Sequence, residues 1–122
     1  MDTVYDRVGG FEFFTALVDR FYTGVAADPV LRPLYPQDLA ESKEHLALFL
    51  AQYWGGPTAY AELRGHPRLR MRHAPFVIGT LERDAWLRHM TEAVRTGGLD
   101  PDDEAELLSY FEMAANQLMN AR

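Results

Sequence analysis

Apolar positions recur along this chain at spacings of three and four residues, and no stretch alternates with period two, so the pattern predicts an all-α fold. Thr3, with Asp6 three residues on, forms a capping box for one short turn of helix that Gly9-Gly10 stops. A longer helix then carries Phe14, Leu17, Val18, Phe21, Tyr22 and Val25 on one face and must end near Asp28-Pro29. Asp28 as a cap and Pro29 at the first helical position predict one more turn through Leu34. Pro33 and Pro36 bracket Tyr35 and stiffen that connection.

Asp38 is placed to cap the next helix, whose inward stripe reads Leu39, Ser42, Leu46, Phe49, Leu50 and Tyr53. Ser42 is small and polar where a leucine is expected, which makes a low wall in any pocket there. Gly55-Gly56-Pro57 ends the helix, because glycine takes the left-handed cap and proline cannot continue. From Pro57 to Pro75 the chain reads as loop with one or two short helical turns; about 19 residues of weak regular structure in so short a chain usually signal function. A further helix runs from about Leu81 to Arg95 with Trp86, Leu87, Met90 and Val94 inward, and Gly97-Gly98 stops it. Asp100-Pro101-Asp102-Asp103 starts the last one with a cap, a proline and acids suited to the helix dipole. Its stripe is Leu107, Leu108, Phe111, Ala115 and Leu118. Four substantial helices without repeats or a linker make one domain over residues 1–122.

Composition narrows the chemistry. There are no cysteines, which excludes disulfides, thiolate nucleophiles, iron–sulfur clusters, Cys-based zinc sites and covalent or thiolate-ligated haem. A net charge of −6 opposes nucleic-acid binding, and no run approaches the roughly 20 apolar residues of a membrane span. Met1-Asp2-Thr3-Val4 lacks the basic start of a signal peptide, so a cytoplasmic protein is expected.

Against that acidic background, Arg64, Arg68, Arg70 and Arg72 fall within nine residues and lead directly to His73. A lone histidine in a helical protein is more often a surface residue than a ligand. Here, however, Pro75 removes a backbone donor two residues later and frees the imidazole to be aimed. Arg72 stands ready for an anionic edge, and Leu69, Met71 and Phe76 supply apolar walls. A flat, apolar group with a metal centre and acidic edges, such as haem, meets those demands. His66 precedes Pro67 in a turn, facing either a propionate edge or water. His45 lies one residue off the buried stripe and reads as exposed, and His89 falls on a polar face beside Arg88. No histidine pair has zinc spacing, and no phosphate-binding or nucleophile motif occurs. Tyr22 and Trp86 both face inward, where each needs a partner for its polar atom or is plain core packing.

The ordered set Tyr5-Asp6 with Val8-Gly9-Gly10, Arg20-Phe21-Tyr22, Val30-Leu31-Arg32 to Tyr35-Pro36, Gln52 to Pro57, Arg64 to Pro75 and Glu82 to Leu87 resembles the truncated haemoglobins, specifically group II members of actinobacterial type. The resemblance implies a two-over-two helical sandwich around a non-covalent haem b. It makes His73 the iron ligand and Tyr22, Tyr35 and Trp86 the distal donors, with Ser42 and Leu46 beside the ligand site. Arg72, then Arg64 and Tyr60, would meet the propionates, and Leu46, Phe49, Leu69, Phe76 and Trp86 would surround the ring. The function expected is binding of O2, NO and CO at five-coordinate iron, serving oxygen or nitric-oxide redox chemistry or sensing rather than bulk oxygen transport. A reductase would be the protein partner, and the oligomeric state, a homodimer among the options, stays open. NO dioxygenase or peroxidase-like activity is the enzymatic alternative, and a cofactor-free helical interaction module the remaining one.

Overall fold

The structure, a computed structural model, describes residues 2–121. Seven α-helices occur among them, and no strand: α1 (Val4–Val8), α2 (Gly10–Ala26), α3 (Ala40–Tyr53), α4 (Ala59–Arg64), α5 (Leu69–His73), α6 (Thr80–Arg95) and α7 (Pro101–Leu118). A single 3₁₀ turn, Arg32–Leu34, sits between α2 and α3. The long helices pair as α2 with α3 and α6 with α7, and α2 also packs on α6, which gives a two-over-two sandwich.

Local chemistry accounts for most helix ends. Thr3 and Asp6 form the reciprocal capping box, and Gly9 takes φ of 110°, a left-handed conformation that a side chain would resist. Asp100 accepts from the Asp102 amide at 3.1 Å, with Pro101 opening α7. Two expectations shift. Asp28 does not start a helix: its Oδ1 accepts from the Val30 amide at 2.8 Å in a local side-chain turn, and helical backbone begins only at Arg32. Asp38 does accept from the Ala40 amide at 2.9 Å, but the residue flanking α3 is Leu39.

The core lies where α2 meets α3, α6 and α7. Phe14, Phe21 and Phe111 are fully buried there with Leu17, Leu50, Met90 and Leu107. Truncating any of the three phenylalanines to alanine would cost roughly 3–5 kcal/mol. Tyr53, expected in the inward stripe of α3, is 48% exposed instead. The helix ends at Tyr53, and Trp54, just beyond it, takes the inward place, 9% exposed. Among the described residues, no helix is long and apolar enough to cross a membrane.

Candidate functional site

Between the two layers lies a cavity of about 490 Å3, within the range of roughly 300–1,000 Å3 usual for small-molecule sites. The residues singled out above for a cofactor and its ligand, Tyr22, Tyr35, Ser42, Leu46, Phe49, Tyr60, Arg64, Leu69, Arg72, His73, Phe76 and Trp86, all line it.

His73 closes α5. Its Nδ1 lies 2.6 Å from the carbonyl oxygen of Leu69, one turn back. A carbonyl only accepts, so Nδ1 carries the proton, and the neutral ring keeps its lone pair on Nε2. That is the tautomer a metal ligand needs, with ring orientation fixed by the second nitrogen. The backbone around it is held from α7's far end. Asn120 donates from Nδ2 to the carbonyls of Phe76 (2.8 Å) and His73 (3.3 Å), and its Oδ1 accepts from the Ile78 amide (2.8 Å). Sequence reasoning missed Asn120, since nothing local marks a residue whose partners lie 42 to 47 positions away.

Cations stand at the wall built by α3, α4 and α5. Arg72 donates from Nε to the Pro67 carbonyl at 2.8 Å, bracing the loop while lining the cavity. The Arg64 guanidinium contacts Nδ1 of His45. His45 therefore belongs to the cavity wall, not to the exposed face expected for it, because α4 folds back over α3. Met71 goes the other way: it is 60% exposed and belongs to an outer depression with Arg64, His66 and Arg68, so it is no wall of the cavity. His66 lies there too, its Nδ1 accepting from the Arg68 amide at 3.1 Å.

The remaining polar groups come from α2, α3, α6 and the Tyr35 connection. Tyr22 and Tyr35 meet edge to face at 5.5 Å, and Trp86 rests edge to face on Phe21 and Phe111. Burial pushes the Tyr22 phenol well above its ordinary value, with Tyr35 adding to the shift and the Ser42 hydroxyl opposing it. Burial likewise pushes Tyr35 up to about 12, partly offset by the Trp86 indole beside it. Both phenols are thus neutral donors across the physiological range. Leu31, Leu34 and Ile78 complete the apolar lining from connecting segments that carry no periodic signal.

These groups fit a haem. Among the described residues no cluster of three or more His, Cys, Asp or Glu side chains can hold a metal. The free Nε2 of His73 suits a metal that brings its other ligands in a macrocycle. The apolar lining suits the ring, and the arginines suit acidic edges.

Comparison with known proteins points the same way. Residues 3–120 match the family model described as bacterial-like globin. The chain is 41% identical over 116 residues to the group 2 truncated haemoglobin YjbI of Bacillus subtilis, covering 95% of this chain and 87% of that one. Among solved structures it resembles a thermostable haemoglobin from the actinobacterium Thermobifida fusca, with TM-score 0.96, 56% identity and 98% of both chains covered. It also resembles the group II truncated haemoglobin of Bacillus anthracis, with TM-score 0.95, 36% identity, and 99% and 98% covered.

Proposed function

The chain belongs to the bacterial-like globins, as a truncated haemoglobin of group II, and from that premise we propose that it holds haem b non-covalently on His73 and binds O2, NO and CO. The observation that carries the reading is the Nδ1 contact of His73 with Leu69, which leaves one nitrogen free in the cavity wall. When bound, haem supplies an iron that takes diatomic ligands and exchanges electrons. His73 would hold that iron, and the Tyr22, Tyr35 and Trp86 part of the cavity would be left for a small ligand.

The chain's own groups shape what happens there. Tyr22, Tyr35 and Trp86 present neutral donors to a small ligand that carries partial negative charge. Each such hydrogen bond contributes on the order of 1.5–3 kcal/mol. Ser42 keeps one side of this space low, and Leu46 keeps it apolar. Arg72 and Arg64, with the Tyr60 hydroxyl, hold the propionate edges, while Phe49, Leu69 and Phe76 flank the ring. Retention by several donors suits oxygen or nitric-oxide redox chemistry or sensing, with a cytoplasmic reductase, better than carriage of oxygen.

Reconstitution tests this. The haem-loaded protein should show a Soret band and a five-coordinate ferrous spectrum, His73→Gly should lose that spectrum, and added imidazole should restore it. No Soret band would reject both haem readings and favour a helical interaction module. Peroxidase-like oxidation is the second reading, favoured by oxidisable Tyr35 and Trp86 in the cavity wall. Turnover with nitric oxide against turnover with peroxide separates the two.

A further inference from the structure

Two files of aromatic rings leave the cavity and converge on one exposed tyrosine. The first runs from Trp86, in the cavity wall, to Phe111 at 5.9 Å between ring centres, to Tyr110 at 5.4 Å and to Tyr53 at 4.1 Å. The second runs from Tyr60, also in the wall, to Phe49 at 5.4 Å and to Tyr53 at 6.3 Å. Rings this close are in or near van der Waals contact, so electrons tunnel between them without a long jump. Among the described residues Tyr53 is the one tyrosine or tryptophan with an exposed side chain.

Proton chemistry decides where an oxidised ring comes to rest. A phenol or indole that loses an electron also sheds its proton. Tyr110 is pushed up to about 12 by burial and by Tyr53 beside it, so its phenol holds its proton tightly. The indole N–H of Trp54, packed on both tyrosines, is buried without a partner. That indole has no acceptor for its proton. Tyr53, about half exposed, has solvent beside its ring to take the proton.

Resting on the haem reading above, we propose that Tyr53 is a second, surface site of oxidation, where bulky phenolic electron donors are oxidised at the expense of a hydroperoxide consumed in the cavity. The hydroperoxide takes up two electrons and two protons and leaves as an alcohol and water, or as two waters from hydrogen peroxide. Each electron comes from Tyr53 along the rings, and the Tyr53 phenol releases its proton to solvent. The phenoxyl then regains an electron and a proton from the donor phenol. Without a donor, phenoxyls on two molecules couple through their rings: two Tyr53 and one H2O2 give one dityrosine link and two waters.

The test treats haem-loaded protein with hydrogen peroxide and no donor. It reads dityrosine fluorescence, covalent dimer on a denaturing gel, and a spin-trap adduct located by peptide mapping. The expected result is a dimer and an adduct at Tyr53, both lost in Tyr53→Phe, with the Soret band unchanged. Tyr110→Phe and Phe49→Leu should each reduce the yield by weakening one file. A normal Soret band with no adduct at Tyr53, or a dimer undiminished in Tyr53→Phe, would overturn the proposal. A missing Soret band would instead overturn the haem reading, and this site with it.

Discussion

His89 occupies the space that a side chain on Gly24 would need: a methyl group built there would lie 2.3 Å from Nδ1 of the imidazole. Gly24 belongs to α2, two residues beyond Tyr22, and His89 to α6, three residues beyond Trp86. The other ring nitrogen, Nε2, is 2.7 Å from Oδ2 of Asp28, which also accepts from Arg88 at 3.1 Å. The contact therefore ties together the two helices that bring Tyr22 and Trp86 to the cavity.

Gly24→Ala should destabilise the protein by about 1–3 kcal/mol, since His89 is held and cannot simply swing aside. Alanine's better helix propensity, worth about 1 kcal/mol, offsets only part of that. In a His89→Ala background, which already lacks the Asp28 contact, Gly24→Ala should cost little, as urea unfolding of the single and double variants would show. Independent, additive effects would mean the two residues do not press on each other.

Asp28 makes that clasp sensitive to acid. The hydrogen bond from His89, then that from the Val30 amide, holds its carboxyl below the ordinary 3.8. A lowered carboxyl pKa stabilises the fold fully above the unfolded value and ceases to do so as pH falls through the folded one. Asp28→Asn should therefore melt lower than the parent near neutrality, and the gap should close below pH 3.8. Thermal melts across the acid range decide it, and a gap that stays constant would remove Asp28 from the account.

Tyr22→Phe and Trp86→Phe should each speed O2 release from the haem-loaded protein by about tenfold, the equivalent of one hydrogen bond to a partly charged ligand near 1.5 kcal/mol. Stopped-flow displacement measures it. Off-rates unchanged in both variants would reject the donor network.

Alkaline titration should find the buried phenols late. Tyr35 and Tyr110 are pushed up to about 12, and Tyr22 lies higher. A raised pKa contributes stability that is complete below 10.0 and disappears as pH climbs through the folded value. At least three of the six tyrosines should thus stay protonated well above pH 10.0 for as long as the protein is folded. Ultraviolet difference absorbance follows this, and Tyr22→Phe should remove one phenol from that late step.

Asn120→Ala should loosen the segment behind His73. Three hydrogen bonds of its side chain are lost, so stability should fall by about 1–2 kcal/mol and haem should transfer faster to an apo-globin acceptor. Asn120→Asp keeps the acceptor but not the amide donors, and should fall between.

What the sequence made legible was whatever has a local cause. The stripe from Phe14 to Val25, the Thr3–Asp6 box and the Asp100-Pro101 start each depend on neighbours within a few residues. Tyr53 and Trp54 were harder: adjacent positions on a helix differ by a large rotation, and only the way α3 ends decides which one turns inward. Asp28, His45 and Asn120 were illegible for a different reason. Their partners are supplied by packing, 60 residues away for Arg88 and 19 for Arg64. Apolar walls from Leu31, Leu34 and Ile78 lie on connections that have no period to read.

The Asn120 contacts also impose an order on synthesis. His73 leaves the ribosome 47 residues before the side chain that pins its carbonyl. At roughly 5–20 residues per second, that is an interval of about 2–10 s. During it the imidazole can form its own turn with Leu69 but has no fixed frame behind it. A cofactor arriving in that interval would meet a wall still lacking Ala115, Leu118 and the Asn120 contacts.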